Sequence, residues 1–179
     1  MKQSIIRPLI VMTPKSLLRL PASTSKIEEI LNGGFQPILD DARISNKSEV
    51  KRIILCSGKV FYDLDAARNT ASDQSIAIIR LEQFYPFPKT SLRQLINSYP
   101  NAVELAWAQE EPKNMGGWTF VKERLEEILP EGLELRYIGR PASASPATGS
   151  YAVHELEQKK LVSEALSLEA IEILQAKVD

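Results

Sequence analysis

The stretch Arg52-Ile53-Ile54-Leu55-Cys56-Ser57-Gly58-Lys59 decides the architecture of this chain. Its first part is an apolar run without polar alternation, which suits a strand buried on both faces. Its second part is a turn that carries a glycine. Four further short apolar runs bounded by turn residues also read as strands: Pro8-Leu9-Ile10-Val11-Met12, Ile76-Ala77-Ile78-Ile79-Arg80-Leu81, Ala102-Val103-Glu104-Leu105-Ala106-Trp107-Ala108 and Leu133-Glu134-Leu135-Arg136-Tyr137-Ile138. Helical patterns lie between them. Residues 60–72 carry Leu64, Ala67 and Ala71 on one face, and residues 89–97 carry Leu92, Leu95 and Ile96 behind Pro86 and Pro88. Residues 117–129 align Phe120, Val121, Leu125, Ile128 and Leu129 before Pro130 stops the helix. Strands alternating with single helices predict an α/β fold, a mainly parallel five-stranded sheet with helices on both faces.

Two regions depart from that rhythm. Residues 13–50 hold Thr13-Pro14, Pro21-Ala22-Ser23-Thr24-Ser25 and Asn32-Gly33-Gly34, with one short helix predicted over residues 25–31 and Ser25 as its N-cap. They read as an arm that packs along a neighbour and ends at the turn-rich Asp40-Asp41. Residues 154–178 form a long helical pattern with Leu156, Leu161, Leu166, Ile171 and Leu174 among charges, able to dock on its own domain or on a partner. The expected organisation is a connecting arm with first strand and short helix over 1–50, then an α/β domain with its C-terminal helix over 51–179.

The 179 residues are enough for one domain with a closed core, and 44% hydrophobic with 25% charged positions is ordinary globular composition. Twenty-two basic against 23 acidic side chains give no electrostatic reason to expect nucleic acid or an anionic membrane as partner. No run reaches the ~20 apolar residues of a membrane span, and Arg7 and Pro8 interrupt any signal-peptide reading of the first residues. One cysteine, Cys56, excludes an internal disulfide, and one histidine, His154, excludes a self-contained Cys/His zinc site. A reducing compartment fits.

Cys56-Ser57-Gly58-Lys59 invites a phosphate-loop reading, but Ile53 stands where the earlier glycine belongs and Val60 where a serine or threonine belongs. Two readings remain for Lys59: a cation facing an anion beside free N–H groups, or a solvated lysine on a tight turn. Cys56 reads as a buried thiol rather than a nucleophile, although a Cys/His pair in space stays open. His154 reads as a packed or interface histidine rather than a general base. Gln109-Glu110-Glu111-Pro112-Lys113-Asn114-Met115-Gly116-Gly117-Trp118 is the most unusual stretch. Its two carboxylates leave a strand end, where open sheets place ligand sites, and read either as an acid or base or as carboxylates that meet a basic partner or solvent. The constrained loop, with Met115 and Trp118 expected exposed, looks like an interface element. Arg140-Pro141-Ala142-Ser143-Ala144-Ser145-Pro146-Ala147-Thr148-Gly149-Ser150 suits an anionic ligand, an apposed protein surface or a linker. Arg80-Leu81-Glu82-Gln83-Phe84-Tyr85-Pro86-Phe87-Pro88 forms an aromatic knuckle or a core-covering turn.

Together these segments resemble the C-terminal domain of the E1 component of 2-oxoglutarate dehydrogenase. The resemblance rests on Pro8-Leu9-Ile10-Val11-Met12-Thr13-Pro14-Lys15-Ser16-Leu17-Leu18-Arg19, Cys56-Ser57-Gly58-Lys59-Val60-Phe61-Tyr62-Asp63-Leu64, Arg80-Leu81-Glu82-Gln83-Phe84-Tyr85-Pro86, Gln109-Glu110-Glu111-Pro112-Lys113-Asn114-Met115-Gly116 and Gly139-Arg140-Pro141-Ala142-Ser143-Ala144-Ser145-Pro146-Ala147-Thr148-Gly149, in the family's order. Leu20 stands where the family pattern has a histidine. The resemblance implies a transketolase C-terminal-like fold and a parent enzyme that decarboxylates 2-oxoglutarate. That enzyme uses thiamine diphosphate and Mg2+ and passes a succinyl group to the lipoyl arm of an E2 succinyltransferase. It implies an E1 homodimer, in the cytoplasm of a bacterium or the mitochondrial matrix of a eukaryote. The Gly-Asp-Gly thiamine signature has no counterpart, so this chain is expected to be inactive alone, to bind no cofactor by itself and to belong with upstream regions of E1.

Some family members bind regulatory acetyl-CoA or nucleotides at this domain, and Lys59, Arg80 and Arg140 are the candidate effector cations here. Phe84, Tyr85, Glu110, Glu111, Asn114, Met115, Trp118 and Ser143 are the candidate interface residues. The rival expectation is a free-standing effector-binding or interaction module derived from this domain. An autonomous hydrolase using Cys56 or Glu110 conflicts with the isolated histidine and the absent nucleophile elbow.

Overall fold

Ile53 and Leu55 point to one side of the strand Arg52–Cys56, Ile54 and Cys56 to the other, and all are sealed from water. The computed structural model describes residues 7–8, 10–68 and 74–167. They fall into two units, residues 1–34 and 35–179.

The second unit holds five strands, β1 (Ile38–Leu39), β2 (Arg52–Cys56), β3 (Ile76–Leu81), β4 (Glu104–Pro112) and β5 (Glu134–Arg140). Their order in the sheet is β1-β3-β2-β4-β5. β2 to β5 are parallel, and only β1 runs antiparallel, with Ile38 opposite Leu81. The α/β fold with a mainly parallel five-stranded sheet is therefore as the sequence predicts. One of the five strands is not. Residues 10–12 form no strand, and Ile10, Val11 and Met12 are 84%, 65% and 90% exposed. An apolar run signals burial without naming what buries it. The fifth strand is instead Ile38–Leu39, too short for any periodicity to mark. Beyond it, Asp41 accepts a hydrogen bond from the Ile78 N–H at 2.7 Å and is ion-paired with Arg68, which closes the outer edge of β3.

The first unit contributes α1 (Ile27–Asn32), which starts later than expected. Its cap is Lys26 rather than Ser25, with the Glu29 carboxylate accepting from the Lys26 N–H at 2.8 Å. In the second unit α2 (Val60–Ala67) and α5 (Tyr151–Leu166) cover one face of the sheet, and α3 (Lys89–Asn97) and α4 (Trp118–Glu126) the other. Leu64 of α2 and Leu161 and Ala165 of α5 pack on Ile54, Ile78, Ala106 and Ile138. Leu92, Ile96, Val121 and Leu125 pack on Ile53, Ile79, Leu105 and Trp107. Each such buried aliphatic side chain contributes roughly 1.5–3 kcal/mol. The rest of the predicted second helix, including Ala71, and the tail positions Ile171 and Leu174 lie outside the described residues.

The tail helix docks on its own domain through a buried charge. Arg52 and Glu104, the first residues of adjacent strands, have side chains 0% and 2% exposed and meet at 2.6 Å. The same guanidinium donates to the carbonyls of Glu164, Ala165 and Ser167 at 3.2, 2.8 and 2.5 Å. Carbonyls at a helix C-terminus carry partial negative charge and lack intrahelical donors, so a cation there satisfies both needs. Arg136 adds a contact to Glu164 at 2.7 Å.

Removing one member of a buried pair leaves the other charge uncompensated. Arg52→Ala and Glu104→Ala should each lower unfolding stability by about 3–5 kcal/mol in a urea titration. A loss below ~1 kcal/mol, the level of an exposed pair, would contradict this account of the helix anchor.

Candidate functional site

β2 leads through α2 to β3 on one side of the sheet, and β4 leads through α4 to β5 on the other. The adjacent C-terminal ends of β2 and β4 thus form the switch point where open parallel sheets hold their ligands. A cavity of about 420 Å³ opens there. Ser57 and Gly58 border it after β2, Glu111 on β4, and Phe84, Trp107 and Phe120 supply aromatic walls.

Gln109 organises the whole of this edge, although no sequence signal separated it from its neighbours. It is 4% exposed. Its Oε1 accepts from Trp107 Nε1 at 2.8 Å and from the Trp118 N–H at 2.9 Å. Its Nε2 donates to the carbonyls of Glu111, Pro112 and Met115 at 3.2, 3.2 and 2.8 Å. One amide side chain therefore joins the end of β4 to the start of α4. The loop must turn sharply around it, and Gly116 does so at φ +65°. Gly117 is required for a different reason, since a Cβ there would stand 2.8 Å from both Phe84 and Trp107.

The expected site residues divide into groups. The two singled-out loops do meet: Asn114 Nδ2 donates to the Ser143 carbonyl at 2.9 Å, and the Ser143 N–H donates back to Asn114 Oδ1 at 3.0 Å. Glu110 and Glu111 lie within β4, which runs on past the predicted end at Ala108 through an irregularity between Gln109 and Pro112. They face different surroundings. Glu110 is bound by Lys59 at 2.8 Å, whereas Glu111 is exposed beside the cavity. Lys59 also holds Asp63 at 3.0 Å. Burial alone would lower its pKa, but the hydrogen bonds it donates to Glu110 and Asp63 outweigh that and raise the ammonium above the ordinary lysine range.

Each of the other two cations also has partners of its own. Arg80 lies 3.6 Å from Glu82 with its guanidinium over the Phe61 ring, 4.3 Å from the centroid. Arg140, 8% exposed, reaches Glu157 at 3.1 Å and donates to His154 Nδ1 at 2.7 Å. Next to it a smaller cavity of about 210 Å³ lies between Pro112 and the 141–148 loop.

The expected exposure of Met115 and Trp118 is corrected. Met115 is half-buried and Trp118 buried, its ring 5.2 Å from Tyr137. A large apolar side chain beside glycines packs inward where the glycines let it approach. Phe84 is half-buried too, against Trp107, and Tyr85 alone of the knuckle is 85% exposed.

Cys56 is fully buried, and burial pushes its thiol up to about 12. The Cys/His pairing left open by the sequence is not formed: Cys56 Sγ faces the Ile79 carbonyl, and His154 meets Arg140. Glu110 is ion-paired with Lys59 at 2.8 Å. Among the described residues no group of three or more His, Cys, Asp or Glu can hold a metal ion. No helix among them is long and apolar enough to cross a membrane.

The two loop anchors should separate in a stability measurement. Gln109→Leu leaves buried donors and acceptors unpaired at about 1–3 kcal/mol each, so it should cost at least ~2 kcal/mol in urea. Asn114→Ala breaks an exposed contact and should cost about 1 kcal/mol or less while exposing the 141–149 loop to proteolysis. Equal losses for the two variants would contradict the central place given to Gln109.

With this geometry in place, comparison with known proteins gives a consistent result. The family described as 2-oxoglutarate dehydrogenase C-terminal matches residues 24–166. The 2-oxoglutarate dehydrogenase E1 component of Haemophilus influenzae is 45% identical over 161 residues, 90% of this chain and 17% of that protein. The E1 component of Shouchella clausii is 46% identical over 170 residues, covering 93% and 18%. That of Rickettsia typhi is 49% identical over 168 residues, covering 92% and 18%. The chain spans less than a fifth of the length of these relatives. Its five ordered sequence blocks, its mainly parallel sheet and a match over most of its residues agree: the chain belongs to the 2-oxoglutarate dehydrogenase C-terminal family.

Proposed function

We propose that this chain works as the C-terminal domain of a 2-oxoglutarate dehydrogenase E1 component and supplies subunit contacts rather than chemistry. The oxidative decarboxylation of 2-oxoglutarate and succinyl transfer to the lipoyl group of E2 belong to the assembled enzyme. The observation that carries this reading is the family match over residues 24–166 in a chain that spans 17–18% of its relatives. The relatives are bacterial E1 components, so the working compartment is the bacterial cytoplasm, or the mitochondrial matrix for a eukaryotic source.

Thiamine diphosphate needs a divalent cation held by oxygen ligands. Among the described residues no group of three or more His, Cys, Asp or Glu converges. The cofactor's chemistry is assigned to the upstream region of E1. The proposed contact edge is the C-terminal rim of the sheet: Tyr85 beside Phe84, the Glu110–Glu111 pair, and the Asn114–Ser143 clamp with Met115 and Trp118 beneath. Its clamp and Gln109 network make it rigid, which lowers the ordering cost of docking. Lys59, Arg80 and Arg140 are the proposed effector cations. The phosphates of acetyl-CoA or a nucleotide would compete there with Glu110, Glu82 and Glu157.

The test uses the full E1 enzyme and the 179-residue chain side by side. The chain alone, given thiamine diphosphate, Mg2+ and 2-oxoglutarate, should release no CO2. In the full enzyme, Tyr85→Asp, at an exposed position, should weaken the dimer at least about tenfold by sedimentation. Turnover by the isolated chain, or an unchanged dimer in the variant, would contradict the proposal.

A further inference from the structure

The first unit presents an anomaly that the sheet domain does not share. No described residue of residues 7–34 is buried. Twelve large apolar side chains are exposed among the described residues, and seven of them lie between Ile10 and Leu31. The much longer second unit exposes only five among its described residues: Phe35, Tyr85, and Tyr151, Val153 and Leu156 of α5.

α1 concentrates the anomaly. Ile27, Ile30 and Leu31 stand at i, i+3 and i+4 and so share one helix face, yet they are 70%, 69% and 75% exposed. Glu28 lies off that face, and Glu29 is occupied with the Lys26 N–H. The helix is six residues long. In water an isolated helix shorter than about 12–15 residues is marginal, and in proteins such helices are held by packing of their apolar face. Nothing within the first unit buries this one.

We infer that the Ile27/Ile30/Leu31 face of α1 is a docking face whose occupant is an apolar groove on the region that precedes this domain in the E1 component. The inference rests on the reading of this chain as part of a longer E1. The relatives have more than four-fifths of their length outside the part this chain matches. α1 lies inside the family match at residues 24–166, so the face is part of the shared domain. A second free copy is a poorer occupant. A stable interface between separate molecules buries about 800 Å² on each partner, far more than three side chains supply. A covalently joined groove acts at high effective concentration and needs only a small contact. The match is the recognised mode in which a helix lays i, i+3, i+4 anchors into a groove.

Hydrogen exchange on the 179-residue chain and on intact E1 from the same source tests this. In the isolated chain the α1 amides should exchange within about tenfold of an unstructured peptide. In intact E1 they should be slowed at least about a hundredfold. Ile30→Asp in intact E1 should remove most of that protection, and because Ile30 is exposed the sheet amides should keep theirs. Equal exchange in the two proteins, or protection that Ile30→Asp leaves in place, would overturn the docking while leaving the E1 reading intact. Protection that grows with concentration of the isolated chain would make a second copy the occupant and also overturn it. Source cells with no longer polypeptide carrying this sequence would overturn both.

Discussion

A guanidinium buried at the start of β2 holds this fold together. Arg52 has lost all contact with water, a costly state unless every attraction is well placed. Glu104 supplies the counter-charge from the neighbouring strand, and the last turn of α5 with its cap residue Ser167 supplies three carbonyls. The sheet fixes Arg52, and Arg52 in turn fixes where α5 ends. Because a helix is rigid, its other positions are then set as well. Gln158 reaches Asp63 on α2, and Glu157 and His154 reach Arg140 at the far edge of the sheet. The tail is thus pinned at both ends by an arginine, one buried beneath each edge.

That far edge is built for rigidity. Parallel strands ending at a switch point create a crevice whatever the sequence, and many enzymes place catalytic groups in it. Here the crevice is lined by aromatic rings and organised by an amide that has no capacity left to bind anything else. Glu110 is tied to Lys59, Cys56 is buried under the sheet and His154 is turned toward Arg140. These three side chains have structural partners, while Glu111 stays exposed beside the cavity. The outcome is a firm surface of two clamped loops, suited to being held against another surface.

Much of this could be read from residues alone, for reasons that also explain what could not. Four of the five strands follow from short apolar runs bounded by turn residues, and in the central run Ile53-Ile54-Leu55 burial on both faces erases polar alternation. α3 matches its predicted bounds because Pro88 and a strong apolar periodicity mark it. The fifth strand fails at both places at once: residues 10–12 look buried but are exposed, and Ile38–Leu39 pairs with β3 through only two residues. Composition reports a need for burial and is silent about the partner. The Asn114–Ser143 clamp brings two of the unusual loops together across 29 residues of chain, a contact the sequence did not indicate. Arg52, Glu104 and Gln109 stayed hidden because a charge at a strand end ordinarily faces water, and a glutamine beside two glutamates has no pattern of its own.

The exposed first unit and a family match in a chain that spans under a fifth of its relatives lead to one claim, that this chain is a domain completed by the remainder of an E1 enzyme. The apparent mass of the native polypeptide tests it most directly, by blotting source-cell extract with an antibody against the chain. The account predicts a single band far above 20 kDa, at the length of the E1 relatives. A band at 20 kDa would contradict it and would make the chain a free-standing module in its own right.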